Sequence, residues 1–546
     1  MALQFIFGSS GSGKSHSLYK KIIEEAAKHP ERNYIVLVPE QFSMQTQKDL
    51  VEASPDHAIM NIDILSFGRL AYRVMEETGG NQKIVLDDEG KNLILRKIAG
   101  DYEDELTILR GNLKRQGYIS EVKSVISEFA QYDIREEQID AMMEQAGVGT
   151  SLYYKLSDLK KVYQGFYAYL EENYITREEI LDLLCKRVPK SAILKDSVLA
   201  LDGFTGFTPV QNRLLAELLR VCRDVKVTVT IPGSEDPYLY QGPYELFALS
   251  KEMTSRLLLI CREQKIQVKD PVWMDGKVPY RFRKNEPMAF LESHLFRYQK
   301  DRYEKKQDRI HILHASSPGD EVEAAARQVR HLVRTKGWRY RDFAVIVPDL
   351  SAYSDEIRTR FSQYGIPVFM DQKRSVLLNP FVEYVRSVLA MIQKGFTYES
   401  VFRFLRTGLF EFTMEEVDTL ENYVLALGIR GYKRWQESWI RKSAGMSEEE
   451  LVEVNCLRIR FVEQMESLVL VLQKRRKSVR DITEALYDFL VQEEMYRKVR
   501  EQQMFFEQNG QLALAKEYSQ VYRIVIDLFD KFVELLGEET VSLKEY

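Results

Sequence analysis

The feature that most constrains this chain is a glycine-rich loop near its start. Residues 8–15 read Gly-Ser-Ser-Gly-Ser-Gly-Lys-Ser, a complete match to G-x-x-x-x-G-K-[ST]. Glycines in such a loop let backbone N–H groups turn inward around phosphate oxygens, and the following helix points its positive end at them. The match lies between an apolar run, Leu3–Phe7, and a helical pattern over His16–Lys28, the strand–loop–helix context that this chemistry requires. The sequence therefore predicts a phosphate-binding loop (P-loop) in an α/β domain.

The loop predicts binding of ATP or a related nucleotide, with Mg²⁺. Lys14 is expected to reach the β- and γ-phosphates, and the Ser15 hydroxyl to bind Mg²⁺. The predicted ATP-binding residues are Gly8, Ser9, Ser10, Gly11, Ser12, Gly13, Lys14 and Ser15. An acidic residue that ends another strand should hold Mg²⁺ through water. Asp202, directly after Val198–Leu201, is the best candidate, and the alternative is that it only caps a turn.

The residue after Asp202 bears on hydrolysis. In most motor ATPases a glutamate follows this aspartate and orients the attacking water, but here Gly203 follows. Glycine has no side chain and cannot act as a base. We therefore expect slow or absent hydrolysis at this site, and we assign no catalytic residue.

Strands and helices alternate along much of the chain, which predicts an α/β fold with a doubly wound parallel sheet. In the N-terminal part, β-rich runs follow the loop at Tyr34–Val38, Met60–Leu65, Val198–Leu201 and Val227–Ile231. Further along, strands are predicted at Ile310–Ala315, Phe343–Val347 and Val368–Phe369, with helices at Glu321–Arg334 and Ser351–Tyr364.

Helical patterns interrupt this alternation and indicate the domain organisation. We predict a first α/β domain from residues 1–84 plus 196–275, with a helical insertion at 85–195. A linker is expected at 276–308, the first part of a second α/β domain at 309–395, and a second helical insertion at 396–546.

Composition limits the class of protein. The net charge of −5 neither supports nor excludes nucleic-acid binding, because local fields matter more than the sum. No apolar run is long enough to span a membrane, and the N-terminus lacks the basic region of a signal peptide, so we expect a cytoplasmic protein. No two of Cys185, Cys222, Cys261 and Cys456 have CxxC spacing, which argues against a local metal knuckle.

Several further segments resemble superfamily 1 DNA helicases, and more closely the AddB family, the B subunits of AddAB-type ATP-dependent helicase/nucleases. The resemblance covers the whole chain. Besides the P-loop, it rests on residues 36–43, 62–67, 201–211, 344–349, 365–369, 373–380 and 428–431 with Trp435. In the segment 201–211, Asp202 and Gln211 align with active helicases, while Gly203, Thr205 and Gly206 replace the catalytic set. Pro348 stands where helicases place an arginine that contacts the γ-phosphate.

The resemblance implies two RecA-like domains and a degenerate motor that binds ATP·Mg²⁺ but hydrolyses it poorly. It implies a heterodimer with an AddA-like helicase/nuclease subunit, acting on DNA ends and single-stranded DNA. Together the two proteins would resect double-stranded ends to 3′ single strands for homologous-recombination repair. The family also assigns the inactive motor a role in recognising a regulatory DNA sequence.

Two parts of the full-length family are missing from these residues. The later segments that complete the second motor half are not found. Nor are the nuclease pattern Gly-x-x-Asp-Arg-x-Asp and the four cysteines that hold a 4Fe–4S cluster. We therefore expect a fragment or a truncated product, without nuclease activity of its own.

No DNA contact can be assigned from the sequence. The candidates are aromatics just beyond strand ends and basic runs, which more often belong to a core or to a solvated helix face. They are Phe42, Phe67, Lys474–Lys477, Arg430, Lys433, Arg434, Arg441, Lys442, Trp435 and Trp439. Two other functions stay open: a P-loop kinase or stand-alone ATPase acting on a small molecule, and a structural scaffold whose P-loop is a relic.

Overall fold

The structure is a computed structural model that describes residues 1–79, 83–112, 116–170, 174–274, 276, 278–297, 300–371 and 375–546. It divides into two compact units, an N-terminal unit, Met1–Ile312, and a C-terminal unit, Leu313–Tyr546. Across these described ranges, no helix combines the length and the apolar character needed to cross a membrane.

Parallel strands form the centre of the N-terminal unit. The strands found in the described residues are β1 (Ala2–Gly8), β2 (Tyr34–Leu37), β3 (Ile62–Leu65), β4 (Ile84–Leu86), β5 (Tyr174–Thr176), β6 (Val198–Leu201), β7 (Asp224–Thr230), β8 (Gln267–Val268) and β9 (Val272–Trp273). The main sheet has the order β3-β2-β6-β7-β1-β8, with β9 also pairing β1, and every pairing is parallel. The α/β class predicted from the sequence is confirmed.

Helices cover both faces of this sheet. Those of the N-terminal unit are α1 (Lys14–Lys28), α2 (Ser43–Ala53), α3 (Phe67–Thr78), α4 (Asp88–Asp101), α5 (Gln116–Gln131), α6 (Glu136–Ala146), α7 (Ser151–Leu170), α8 (Glu179–Arg187), α9 (Pro209–Val221), α10 (Ala248–Glu263) and α11 (Glu286–His294). Side chains alternate between the faces of a strand. Phe5 and Phe7 accordingly join the core beneath α3, α8, α9 and α10, whereas Ile6 joins the core beneath α1 and α2. Burial on both faces explains why β2 and β6 are continuously apolar.

Helices α4 to α7 lie between β4 and β5 along the chain, and buried charges as well as apolar contacts hold this region together. Lys91 on α4 is 3% exposed and pairs with Glu178 at 2.7 Å. On α7 the Asp158 carboxylate is 1% exposed and accepts the backbone N–H groups of Thr107, Ile108 and Leu109 at 2.7–3.0 Å. Strands β4 and β5 pair with each other beside these helices. The sequence missed them because a three-residue strand carries too few alternations to show a period.

The regular elements described in the C-terminal unit are helices. They are α12 (Pro318–Lys336), α13 (Leu350–Gln363), α14 (Pro380–Gln393), α15 (Tyr398–Leu405), α16 (Met414–Leu427), α17 (Tyr432–Gln436), α18 (Glu448–Leu472), α19 (Val479–Gln492), α20 (Met495–Gln508) and α21 (Leu512–Leu536). Helices α14 to α21 share one large core, in which Tyr384, Trp435 and Phe461 are fully buried. Helices α12 and α13 pack on each other through a small separate cluster that includes Ala326 and Phe361.

The three strands predicted for residues 309–395 are wrong. Ile310–Ala315, Phe343–Val347 and Val368–Phe369 have no strand assignment, although the two helices predicted between them are present as α12 and α13. Ile312, Ile346 and Phe369 are 97%, 93% and 90% exposed. A strand exists only through hydrogen bonds to a neighbour, and these apolar runs have no ladder partner in the described residues. The residues Lys373 and Arg374, part of the family resemblance, lie outside the described residues.

The stretch predicted to be a linker, residues 276–308, has structure of its own. It contains the 3-10 turn Tyr280–Phe282 and helix α11 in its described residues. Just before it, β9 extends the main sheet by pairing Val272 and Trp273 with Ile6 and Phe7. The chain therefore stays attached to the first sheet beyond residue 270, next to the strand that leads into the P-loop.

Replacing Asp158 with alanine should destabilise the insertion. The change removes the acceptor of three backbone N–H groups, of which that of Leu109 is buried, and we expect a loss of about 3–5 kcal/mol in the free energy of unfolding. Asp140→Ala is the matched control, because it removes a half-exposed carboxylate that pairs with Lys160 at 2.7 Å. That pair should contribute less than about 1 kcal/mol. Urea unfolding, with hydrogen exchange at residues 107–109, measures both; equal effects of the two variants would contradict the prediction.

Candidate nucleotide-binding site

The glycine-rich loop connects the end of β1 to the start of α1. Gly11 has φ +74° and Gly13 has φ +97°, both in the left-handed region that residues with a side chain rarely adopt. Gly13 is the residue just before α1, which begins at Lys14. Two of the three glycines are thus required by the backbone, and they leave the first N–H groups of a 15-residue helix directed at the loop.

Lys14 places its charge inside the loop. Its side chain is 8% exposed, and its ammonium donates to the carbonyl oxygens of Gly8 and Ser9, each at 2.9 Å. The Ser12 hydroxyl is also buried, and it has no hydrogen-bond partner within the described part of the chain. A buried cation and an orphaned hydroxyl beside a helix N-terminus form an environment suited to phosphate oxygens.

Asp202 meets the loop at the carboxyl edge of the sheet. It follows β6, is 5% exposed, and lies beside Ser15, whose hydroxyl donates to Asp202 Oδ1 at 3.0 Å. Tyr19 donates to Oδ2 at 2.6 Å, and Thr228 on β7 donates to Oδ1. The structure thus brings together the two residues predicted to serve Mg²⁺. A hydroxyl and a carboxylate oxygen are hard ligands of the type that Mg²⁺ prefers, so the donor set fits.

Tyr19 is buried against Asp202, a contact that the sequence does not predict. Burial and the neighbouring Asp202 carboxylate raise the pKa of the Tyr19 hydroxyl far above its usual value. The phenol therefore keeps its proton at every physiological pH and remains a donor. Tyr19 lies four residues after Ser15, and this spacing in the sequence places both residues on the same face of the helix.

Gly203 departs from ordinary backbone geometry. It has φ +78°, and a Cβ built on it would lie 3.6 Å from Pro39 and 3.9 Å from Phe42. The space is adequate, but the left-handed conformation disfavours any side chain. The backbone conformation at position 203, where active motors carry a glutamate, thus favours glycine.

The end of the first predicted domain and the start of the predicted linker lie against the loop. The Met274 N–H donates to Phe7 O at 2.8 Å, and the Arg281 N–H donates to Gly11 O at 3.0 Å. A Cβ on Gly11 would lie 3.0 Å from the Arg281 Cβ and 3.2 Å from the Phe282 ring. An aromatic ring and an arginine are therefore held next to the loop. The feature of the sequence that could have indicated this is the run Tyr-Arg-Phe-Arg at residues 280–283, within a mostly polar stretch.

The aromatic DNA-contact candidates fall into two groups. Phe42 is 47% exposed, but Phe67 is buried and packs on Phe204 and Phe207 with centroid distances of 5.4 and 6.2 Å. Trp435 and Trp439 are buried in the helical core of the C-terminal unit. Of the aromatics proposed from the sequence, only Phe42 offers a ring face to solvent, and the other three serve as core.

Three of the nine basic candidates are engaged locally. Arg434 pairs with Glu437 at 3.2 Å and Lys442 with Glu448 at 2.5 Å. Lys477, in the densest basic run, is 8% exposed and donates to the Lys474 carbonyl at 2.8 Å. These contacts match a helical surface whose charges are paired within the chain, so none of the three cations supports a DNA contact.

Gln211, which aligns with a helicase glutamine, has a local structural role here. Its side chain accepts the Thr208 N–H at 2.9 Å, while the Gln211 N–H donates to the Thr208 hydroxyl at 3.3 Å. These bonds form a capping box at the start of α9. The four cysteines are free thiols, and across the described ranges no group of three or more metal-ligating side chains occurs.

Known proteins match this chain along its whole length. The family model described as "ADDB, N-terminal" matches residues 5–292. A protein of Lachnoclostridium phytofermentans is 41% identical over 100% of this chain and 48% of its own length. One of Caldanaerobacter subterraneus subsp. tengcongensis is 35% identical over 100% of the chain and 47% of its own length.

Both relatives are named as the B subunit of an ATP-dependent helicase/deoxyribonuclease, and the chain spans about half the length of the curated relatives it matches. The family model covers more than half of the chain, including the P-loop, Asp202 and the segment that carries Arg281. The chain therefore belongs to the AddB family of helicase/deoxyribonuclease proteins.

Proposed function

We propose that this chain is the ATP-binding, helicase-like part of an AddB protein within a heterodimeric ATP-dependent helicase/nuclease. The observation that carries the proposal is the P-loop whose buried Lys14 lies beside the Ser15–Asp202 pair. The complex, with an AddA-like helicase/nuclease subunit, resects double-stranded DNA ends to 3′ single strands for homologous-recombination repair in the cytoplasm. The names of the relatives support ATP dependence, a DNA substrate and a partner protein.

In this proposal, residues 8–15 hold the phosphates of ATP. The loop N–H groups and the Ser12 hydroxyl donate to phosphate oxygens, and Lys14 exchanges its carbonyl partners for the β- and γ-phosphates. Ser15 and Asp202 are the residues that would hold Mg²⁺ beside these phosphates. Mg²⁺ neutralises the phosphate charge when it is bound; the chain's own groups orient the triphosphate and exclude water from its inner side.

The motor of this chain is degenerate in our proposal, and ATP serves mainly as a structural ligand. Asp202 is held by three hydroxyl donors, and the next residue is a glycine in a left-handed conformation. No carboxylate is therefore placed to take a proton from an attacking water at the position after Asp202. The inactive motor is then free for another task, and the family resemblance suggests recognition of a regulatory DNA sequence.

We retain the proposed domain organisation, with residues 1–84 plus 196–275 as the first RecA-like domain and 85–195 as its insertion. Residues 309–395 are the first part of a second RecA-like domain, followed by an insertion at 396–546. The exposed apolar runs around Ile312, Ile346 and Phe369 support this, because buried parallel strands have such composition. Strands from elsewhere in a longer polypeptide would pair with them and cover them.

Lys14→Ala should weaken ATP·Mg²⁺ binding by about 10- to 100-fold, because it removes charge-assisted bonds to two phosphates. Lys20→Ala is the matched control, since Lys20 lies on the same helix but is exposed and pairs only loosely with Glu24 at 4.0 Å. Fluorescence titration with a labelled ATP analogue measures both variants. A relic P-loop predicts instead that wild type and Lys14→Ala bind equally poorly.

Turnover of ATP by the purified chain should stay near background, with or without single-stranded DNA. The reason is the absence of a base after Asp202, since a positioned base normally supplies about 10²–10⁴-fold of rate. Phosphate release assays with Mg²⁺ test this. Stimulation by DNA of many-fold would overturn the degenerate motor, and phosphoryl transfer to a small molecule without DNA would favour the kinase alternative.

Arg281→Ala should lower the affinity for ATP about 3- to 10-fold and affect ADP less, because we expect this exposed side chain next to Gly11 to reach the outer phosphates. Its backbone is fixed by the bond to Gly11, so the loop itself stays intact. Lys284→Ala is the control, an exposed cation three residues away in the same segment. Equal loss for ATP and ADP, or an equal effect of Lys284→Ala, would contradict a γ-phosphate contact.

A further inference from the structure

Three hydroxyl groups from two elements converge on the Asp202 carboxylate. Ser15 and Tyr19 approach from α1, and Thr228 approaches from β7. Two of these donors, Tyr19 and Thr228, are 7% and 4% exposed, and Asp202 itself is 5% exposed. Of these three hydroxyls, the proposed nucleotide site uses only that of Ser15. Tyr19 and Thr228 therefore have no role yet, although both hold the same buried charge.

The arrangement of these bonds determines which way the carboxylate points. Tyr19 donates to Oδ2 and Thr228 donates to Oδ1, so each carboxylate oxygen has its own donor. The carboxylate plane therefore cannot rotate without breaking one of these hydrogen bonds. Oδ1 remains directed at the Ser15 hydroxyl, 3.0 Å away. A carboxylate accepts about four hydrogen bonds, which leaves capacity for a water on a metal ion.

Tyr19 is itself fixed from both ends. Its ring belongs to the core cluster of Leu18, Ile22 and Leu50 beneath the sheet, so the phenol cannot swing away from Asp202. On the other side its hydroxyl meets the side chain of Thr46 on α2. A phenylalanine would fill the same apolar space; the hydroxyl is thus explained by its bond to Asp202 rather than by packing.

We propose that Tyr19 and Thr228 are positioning residues that hold Asp202 in the orientation needed for Mg²⁺-assisted nucleotide binding. This inference rests on the proposed nucleotide site. The two hydroxyls stabilise the ionised carboxylate in a buried place and aim Oδ1 at the metal position beside Ser15. Their effect is confined to the metal: the loop N–H groups and Lys14 bind phosphate without them.

The test compares the affinity of a fluorescent ATP analogue in Mg²⁺ and in EDTA for wild type, Tyr19→Phe and Thr228→Val. The quantity measured is the ratio of the dissociation constant in EDTA to that in Mg²⁺, which reports how much Mg²⁺ strengthens binding. Both variants should lower this ratio about fivefold or more, and leave the affinity in EDTA within about twofold of wild type. Because the two residues lie on different elements, poor folding of one variant leaves the other as the test.

Tyr34→Phe is the matched control. Tyr34 is a buried tyrosine of the same core cluster, on β2, and it makes no bond to Asp202. Its variant should keep the wild-type ratio. Asp202→Asn should lose the Mg²⁺ effect, and adding Tyr19→Phe to it should cause no further loss, because Tyr19 acts through that carboxylate.

The outcomes separate the inference from the proposed function. If wild type binds no nucleotide in either condition, the proposed site fails and the inference fails with it. If wild type binds with a clear Mg²⁺ effect but both variants keep the same ratio, only the positioning role is overturned. Equal weakening in Mg²⁺ and in EDTA would also overturn it, since that pattern indicates a structural role in the loop.

Discussion

The parallel pairing of β6 with β7 and of β7 with β1 is the constraint on which the site depends. Parallel strands present their carboxyl ends at one edge, so Gly8 at the end of β1 and Asp202 after β6 meet although 194 positions separate them along the chain. Thr228 lies on β7, the strand between them, and its hydroxyl donates to Asp202. The insertion can be long because it leaves and re-enters the sheet without disturbing this register.

Sequence patterns predicted the elements that depend on a local motif, on helical periodicity or on burial of both faces of a strand. The P-loop, the apolar strands β1, β2 and β6, and the amphipathic helices α12 and α13 follow from period and motif alone. Asp202 was found because a strand ends directly before it. The strands expected around Ile312, Ile346 and Phe369 were not found in the structure, since an apolar run becomes a strand only when another strand pairs with it. Pairing is a property of the neighbours and cannot be read from the run itself.

The same distinction explains what was missed at the site. Tyr19 is an ordinary helix residue by pattern, and only the fold shows that its hydroxyl meets a carboxylate from a distant strand. Arg281 lies in a polar stretch without periodicity, and its place next to Gly11 depends on β9, a two-residue strand. Conversely, Phe67 and Trp435 are candidates for DNA contacts by residue type, but the fold buries both of them in its cores. Chemistry that depends on long-range contact is therefore the part that needs a structure.

The buried charges around the glycine-rich loop and the glycine after Asp202 have a common physical interpretation within the function we propose. A site that had simply decayed would lose its buried cation and its buried carboxylate together, because each is costly to bury without the other groups of the site. Here Lys14 is held by two carbonyls and Asp202 by three hydroxyls, so both charges are hydrogen-bonded in the folded chain. Gly203, by contrast, adopts a backbone conformation that disfavours a side chain at the position of the base. In the function we propose, this combination favours binding of a nucleotide over its hydrolysis.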